Sequence, residues 1–251
     1  MPAALRCGAE RMAGNRGTAM QRVGGELLER YCRDDRIAHL LSAEARVGDE
    51  DLTCQRWLVQ SPAKRLIYDM LYGDLLAGAQ RRVLDVGGGL SALTRRLASR
   101  HRYELVDLLA HDPPESAAHL LAPGAGVFHC RDWLECNLDG PYDVVVANDL
   151  FPNVDQRLAL FLEWALPIAR EVRLSLTYYN YPKFYLTRRV DADEVLCLLA
   201  WDGKQTAAVL APFRERIAMP DFAQFDRCDD WAFDNRRQVV VMSMRGNVLD
   251  D

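Results

Sequence analysis

Arg82-Val83-Leu84-Asp85-Val86 is a short apolar run that leads into Gly87-Gly88-Gly89 and then Leu90-Ser91. A chain makes this pattern when a buried strand turns sharply into a helix while a ligand lies against its backbone. Glycine removes the Cβ and makes a positive φ inexpensive. Asp85 narrows the choice of ligand. A carboxylate just ahead of the turn repels a pyrophosphate but suits a ligand that carries an ammonium group. The turn also departs from the Gly-x-Gly-x-x-Gly of dinucleotide sites, because Leu90 and Ala92 stand where that pattern looks for its last glycine.

Three further groups recur at regular intervals. Asp107 follows Asp85 by 22 residues, Asp132-Trp133 comes next, and Asn148-Asp149 closes the series. If each ends a strand of one parallel sheet, all four meet at the carboxyl edge, where open α/β sheets bind ligands. An acid there accepts two hydrogen bonds from ribose hydroxyls. A second accepts from an exocyclic amine, beside an aromatic that packs on the base. Each has a plainer reading: Asp107 as a surface acid, Asp132 as a turn cap with Trp133 in the core, Asn148-Asp149 as an Asx turn.

The elements that must position these residues can be read from periodicity. From about residue 25 to 78 apolar residues recur at helical spacing, and Ser61-Pro62 is an N-cap followed by proline in the first turn. Strands and helices then alternate. Strands are expected over 82–86, 103–106, 126–130, 142–147, 171–178 and 238–244, with a further one between 222 and 233. Helices are expected over 91–100, 114–121, 153–169 and, as a broken pair, 191–216. Val144-Val145-Val146 is the unbroken apolar run of a strand covered on both faces. The expected fold is α/β: a Rossmann-like, seven-stranded, mostly parallel sheet with helices on both faces and an N-terminal helical cap. The expected layout is a disordered tail over 1–20, a cap or lid over 21–79, and a core over 80–251 with a helical insertion at about 181–216.

Composition limits the partners. The net charge of −5 provides no field to gather nucleic acid, and the basic pairs, Arg236-Arg237 among them, are read as solvated surface. Seven scattered cysteines with no Cys-x-x-Cys pair argue against a zinc site and a disulfide scaffold, and suit a reducing cytoplasm. No apolar run is long enough to span a bilayer. Translation beginning at Met12 or Met20 would account for the poorly patterned start.

With these residues in place, the stretch from about Arg81 to Thr177 resembles the class I S-adenosylmethionine-dependent methyltransferases. Val83 to Gly89 is similar to that family's first motif, Asp107 to its ribose acid, Arg131-Asp132-Trp133 to its adenine-edge motif, and Tyr142 to Leu150 to its fourth motif. Ser91 departs from the glycine that many members carry. The resemblance implies S-adenosylmethionine as cofactor, with S-adenosylhomocysteine as product. It implies Asp85, Gly87, Gly88, Gly89, Asp107, Asp132, Trp133 and Asn148 as cofactor-binding residues.

Position at the strand ends makes Asp149, Tyr178 and Tyr179 the candidate catalytic groups and Asn153 and Tyr181 candidate substrate contacts; Tyr68 and Tyr72 are added from the cap, as residues that close over the methyl donor. No metal is indicated. The expected reaction is in-line methyl transfer to an O, N or C nucleophile of a small metabolite in specialised biosynthesis, with neither nucleic acid nor membrane as partner, in a homodimeric protein. A protein or peptide methyltransferase, which needs an open groove, and a non-catalytic nucleoside-binding or assembly domain are the rival readings.

Overall fold

The computed structural model describes residues 19–121, 126–189, 194–227 and 229–248. All but the last two residues of the expected tail lie outside these segments. Met20 is buried, and its N–H donates to the Ala218 carbonyl at 3.2 Å.

A two-residue strand, β1 (Gln21–Arg22), opens the described chain and leads into the helical cap. The cap consists of α1 (Gly25–Tyr31), α2 (Arg36–Glu44), α3 (Thr53–Gln60) and α4 (Pro62–Tyr72). Local chemistry explains the starts of two of these helices. Asp35 accepts from the Ala38 N–H at α2, and Ser61 accepts from the Lys64 N–H at α4, where Pro62 needs no partner for its nitrogen.

The alternating core follows: β2 (Arg82–Val86), α5 (Ala92–Arg100), β3 (Arg102–Val106), α6 (Pro114–Leu120), β4 (Val127–His129), β5 (Tyr142–Phe151), α7 (Leu158–Ala165) and β6 (Ala169–Tyr178). A hairpin of β7 (Lys183–Arg189) and β8 (Glu194–Ala200) stands apart from the main sheet, and α8 (Gly203–Leu210) and β9 (Gln238–Arg245) complete the chain.

The main sheet has seven strands in the order β1-β9-β6-β5-β2-β3-β4. Strands β4, β3, β2, β5 and β6 are parallel, whereas β9 and β1 are antiparallel to their neighbours. The chain leaves β2 first towards β3 and β4, then returns to β5 on the other side. The switch point therefore lies between β2 and β5, where a ligand crevice opens. Val144 and Val146 face a core built with the cap and α5, while Val145 and Ala147 face a core built with α7 and α8. Burial on both faces is why β5 reads as an unbroken apolar run.

Three expectations need correction. The expected helical insertion at about 181–216 holds two strands ahead of its helix: β7 and β8 pair over seven residue pairs from Lys183↔Ala200 to Arg189↔Glu194. Residues 222–226 form a single 3-10 turn rather than a strand. The seventh strand comes instead from Gln21–Arg22 at the far end of the chain, paired with Val241 and Val240, and Ile217 adds only an isolated bridge to Met244.

The alternation along β6 also has a physical cause. Val172, Leu174, Leu176 and Tyr178 pack on the α7 side. Glu171, Arg173, Ser175 and Thr177 are buried beneath the cap and the crevice. Arg173 Nη1 donates to the Leu71 carbonyl at 2.7 Å and pairs with Asp74, while its Nη2 reaches Glu171 at 2.9 Å. The polar face of this central strand thus anchors the end of α4.

Candidate functional site

The turn after β2 has the backbone that its glycines predict. Gly87 has φ +71° and Gly89 φ +67°, and a Cβ on Gly88 would lie 2.4 Å from the Asp85 carboxyl group. Ser91 then caps α5: its side chain accepts from the Thr94 N–H, and Thr94 accepts in return from the Ser91 N–H. With φ at −158° Ser91 is extended, so no glycine is needed there.

Beside this turn lies a cavity of about 870 Å³. Its size suits a nucleoside together with a second small molecule. Gly87, Gly88, Gly89, Asp107, Asp132, Trp133, Asn148, Asp149, Asn153 and Tyr68 all line it. The carboxyl ends of β2, β3, β4 and β5 therefore converge as their spacing predicts, and α3 and α4 of the cap supply the facing wall.

Asp107 is oriented by the turn itself. One oxygen accepts from the Gly89 N–H at 2.9 Å and the other from the Leu109 N–H at 2.7 Å. Each oxygen keeps a lone pair for a ligand. Burial pushes this carboxyl upwards, against the two backbone N–H groups. The nearby Asp112 is occupied differently, since it accepts from the Thr53 N–H and so caps α3.

Asp132 and Trp133 are knitted together by Arg157. The guanidinium reaches Asp132 Oδ2 at 2.7 Å and Asp155 Oδ2 at 2.6 Å, and sits 4.9 Å from the Trp133 ring. The indole N–H donates to Asp155, and the ring packs edge-on to Phe161, so much of Trp133 belongs to the core.

Asp149 occupies a bulge in β5, between Ala147 and Phe151, with φ +55°. This left-handed conformation is one that Asp tolerates better than most residues. Its N–H donates to Ser175 Oγ at 2.7 Å, and Ser175 also donates to Asn148. The carboxylate accepts from Thr177 and Asn153, both at 3.1 Å, and faces Lys64 at 3.3 Å and Arg237 at 3.4 Å. Burial works against its ionisation, but Arg237 and Lys64 outweigh burial and hold the carboxyl below the ordinary range.

Other expected residues lie away from the cavity wall. Asp85 is beneath the turn, with both oxygens taken by hydroxyls: Tyr72 at 2.8 Å and Tyr103 at 2.7 Å. Burial raises it to about 6 despite those two donors. Tyr72 stacks on Tyr68 with ring centroids 4.3 Å apart, and only Tyr68 reaches the cavity. Tyr178 is in the core, donating to the Gln224 carbonyl, and Tyr179 is buried under Lys183. Tyr181 is exposed on the approach to β7.

The wall also holds residues that periodicity did not single out: Cys54, Trp57, Lys64, Arg157 and Arg237. Burial pushes the Cys54 thiol up to about 12, so it is an inert wall group. Arg237 belongs to a basic pair read as solvated surface, yet its side chain is only 12% exposed and points into the cavity. Its sole sequence signal was its position, one residue ahead of a strong strand.

No protein-family model and no curated protein matches the chain. Solved structures do. A complex of DhpI with SAH matches with a TM-score of 0.51 at 16% identity, over 90% of this chain and 100% of that one. This is the Rossmann-like methyltransferase fold. Two other solved structures match at lower TM-scores. The 1,6-didemethyltoxoflavin-N1-methyltransferase of Burkholderia thailandensis, with bound 1,6-didemethyltoxoflavin and S-adenosylhomocysteine, matches at 16% identity and TM-score 0.46, over 94% and 98% of the two chains. The magnesium protoporphyrin IX methyltransferase of Synechocystis PCC 6803, with bound SAM, matches at 13% and 0.45, over 88% and 96%. In this methyltransferase fold the cavity lies at the switch point between β2 and β5.

Proposed function

We propose that this chain is an S-adenosylmethionine-dependent methyltransferase acting on a small molecule. One observation carries the reading: the glycine turn, Asp107, Asp132 and Asn148, from four separate strand ends, line a single cavity. The residues fit the donor chemically. Gly87 and Gly89 take the positive φ that brings the turn's backbone to the cavity, Gly88 leaves room for the Asp85 carboxyl beneath it, and the two lone pairs left on Asp107 suit a pair of ribose hydroxyls. Asp132, held by Arg157, suits an exocyclic amine. Asp85 does not touch the cavity, and contributes its charge through the turn from beneath.

A bound donor supplies a methyl group already activated by its sulfonium. The protein then has to hold the acceptor in line and exclude water. The cap serves both ends: Trp57, Leu58 and Tyr68 wall the cavity from α3 and α4, and Leu196 of β8 closes it from the hairpin. A wall drawn from a cap and a hairpin favours a small acceptor over a peptide, which needs an open groove. Asp149, paired with two cations, is a weak base. The site therefore favours an acceptor that arrives ionised or needs little help losing a proton. Such a self-contained lid suits a biosynthetic role in specialised metabolism.

Calorimetric titration with S-adenosylhomocysteine tests the reading. Saturable binding is expected, and Asp107→Ala should weaken it by ~1.5–3 kcal/mol, roughly 10- to 100-fold. Well-folded protein that takes up no ligand would end the proposal.

A further inference from the structure

Lys64 and Arg237 approach the same carboxylate from opposite sides. Lys64 comes from the first turn of α4, its Nζ 3.3 Å from Asp149 Oδ2 and 4.7 Å from the centre of the Trp57 ring. Arg237 comes from the residue before β9, and its Nη1 lies 3.4 Å from both Asp149 oxygens. Those distances are long for a guanidinium–carboxylate pair, which closes to about 2.7–2.9 Å when it is the main partner. The Arg237 Nε–H is buried and has no hydrogen-bond partner, while its guanidinium plane is held against Phe233 at 4.2 Å. Among the described residues Asp149 is the only carboxylate in ion-pair range of either cation. Two cations thus share one anion at a partly buried wall, where Arg237 is the most enclosed of the three, leaving one positive charge without a counter-charge and the buried Arg237 Nε–H without an acceptor. Such a charge is costly unless a counter-charge arrives.

We infer that Arg237 and Lys64 form a seat for an anionic group on the methyl acceptor, which makes the preferred acceptor a carboxylate or similar anion on an otherwise apolar body. Trp57, Leu58, Ile67 and Tyr68 line the cavity on the Lys64 side, so the apolar body has a surface to cover. The inference deepens the methyltransferase reading and rests on it. It also accounts for the doubly paired Asp149: the carboxylate spaces the two cations until the ligand's anion joins them. The donor's own carboxylate is the competing source of the same chemistry.

Benzoate and its neutral counterpart benzamide, titrated into protein saturated with S-adenosylhomocysteine, probe the seat. Benzoate should bind at least about tenfold more tightly than benzamide. Arg237→Gln should abolish that preference while leaving S-adenosylhomocysteine affinity within roughly twofold. Arg237→Lys should restore part of the preference, since it returns the charge without the planar fork. Asp149→Asn should tighten benzoate, a gain that a merely structural role does not produce. Equal binding of the two probes, or no benzoate binding in the millimolar range, overturns the inference. So does a tenfold or greater loss of S-adenosylhomocysteine affinity in Arg237→Gln, at roughly the strength of one charged hydrogen bond, because the seat then serves the donor. If wild-type protein binds no S-adenosylhomocysteine, the methyltransferase reading has failed, and the benzoate–benzamide comparison on unliganded protein still decides whether the anion seat exists.

Discussion

Asp85 shows how far a residue type carries and where context takes over. Its place before the glycines is a sequence signal. Its state is set by burial, which the Tyr72 and Tyr103 hydroxyls oppose by donating one to each oxygen. Burial raises the group from 3.8 to about 6. The folded protein therefore binds this proton more tightly than the unfolded chain does. The contribution to stability is complete below about pH 4 and is lost as pH rises through about 6. Asp85→Asn should remove that loss, so the variant should gain on the wild type by up to about 3 kcal/mol at neutral pH, with no gain at pH 4. Urea unfolding of both proteins across this range measures the difference. Curves that stay parallel would show that the carboxyl does not titrate there.

At the scale of elements, β6 is the most instructive. Its alternation resembles a half-exposed strand, yet both faces are buried. The polar face is closed by the cap, and Arg173 is the main tie, bonded to the Leu71 carbonyl, Asp74 and Glu171. Arg173→Ala should cost ~3 kcal/mol or more, because it strands Glu171 without a counter-charge. A thermal melt should show the loss, and a shift of less than a degree would mean that the cap is held elsewhere. The hairpin is the opposite case. Glu194–Ala200 carries three Leu and lacks strict alternation of apolar and polar residues, so local propensity speaks for helix. Pairing with β7 overrides it, since ladder bonds along seven residue pairs outweigh a weak intrinsic preference. Two helix starts were legible because capping is local: Ser61 and Ser91 each bond to the residue three positions on.

For the whole molecule, the sheet is closed at one edge by a strand of two residues. Gln21 and Arg22 pair with β9, the Val23 N–H donates to the Val239 carbonyl, and Arg22 Nη1 reaches Gln238 at 3.0 Å. Without them β9 becomes an exposed edge of buried Val239, Val240 and Val241. A chain beginning at Gly24 should melt several degrees below one beginning at Met20, about 2–4 °C for each kcal/mol lost, and should self-associate. Equal melting temperatures and a monodisperse profile would argue that the edge needs no cover.

What the sequence determined by itself is the serial order of strand, glycine turn, capped helix and acid, together with the crevice those strand ends must share. Each rests on contacts within a few residues or on a periodicity, and both are written in the chain. The tertiary structure decided which of the acids are available. Asp107 keeps lone pairs for a ligand, Asp85 is closed off by two tyrosines, and Asp149 is held by Lys64 and Arg237 from positions 85 and 88 residues away. It also decided that a dipeptide near the start of the described chain completes the sheet, and that the tyrosines after β6 turn from the cavity while a lysine and an arginine enter it. Charge pairing across such separations depends on distance in space, and distance in space exists only once the chain has folded.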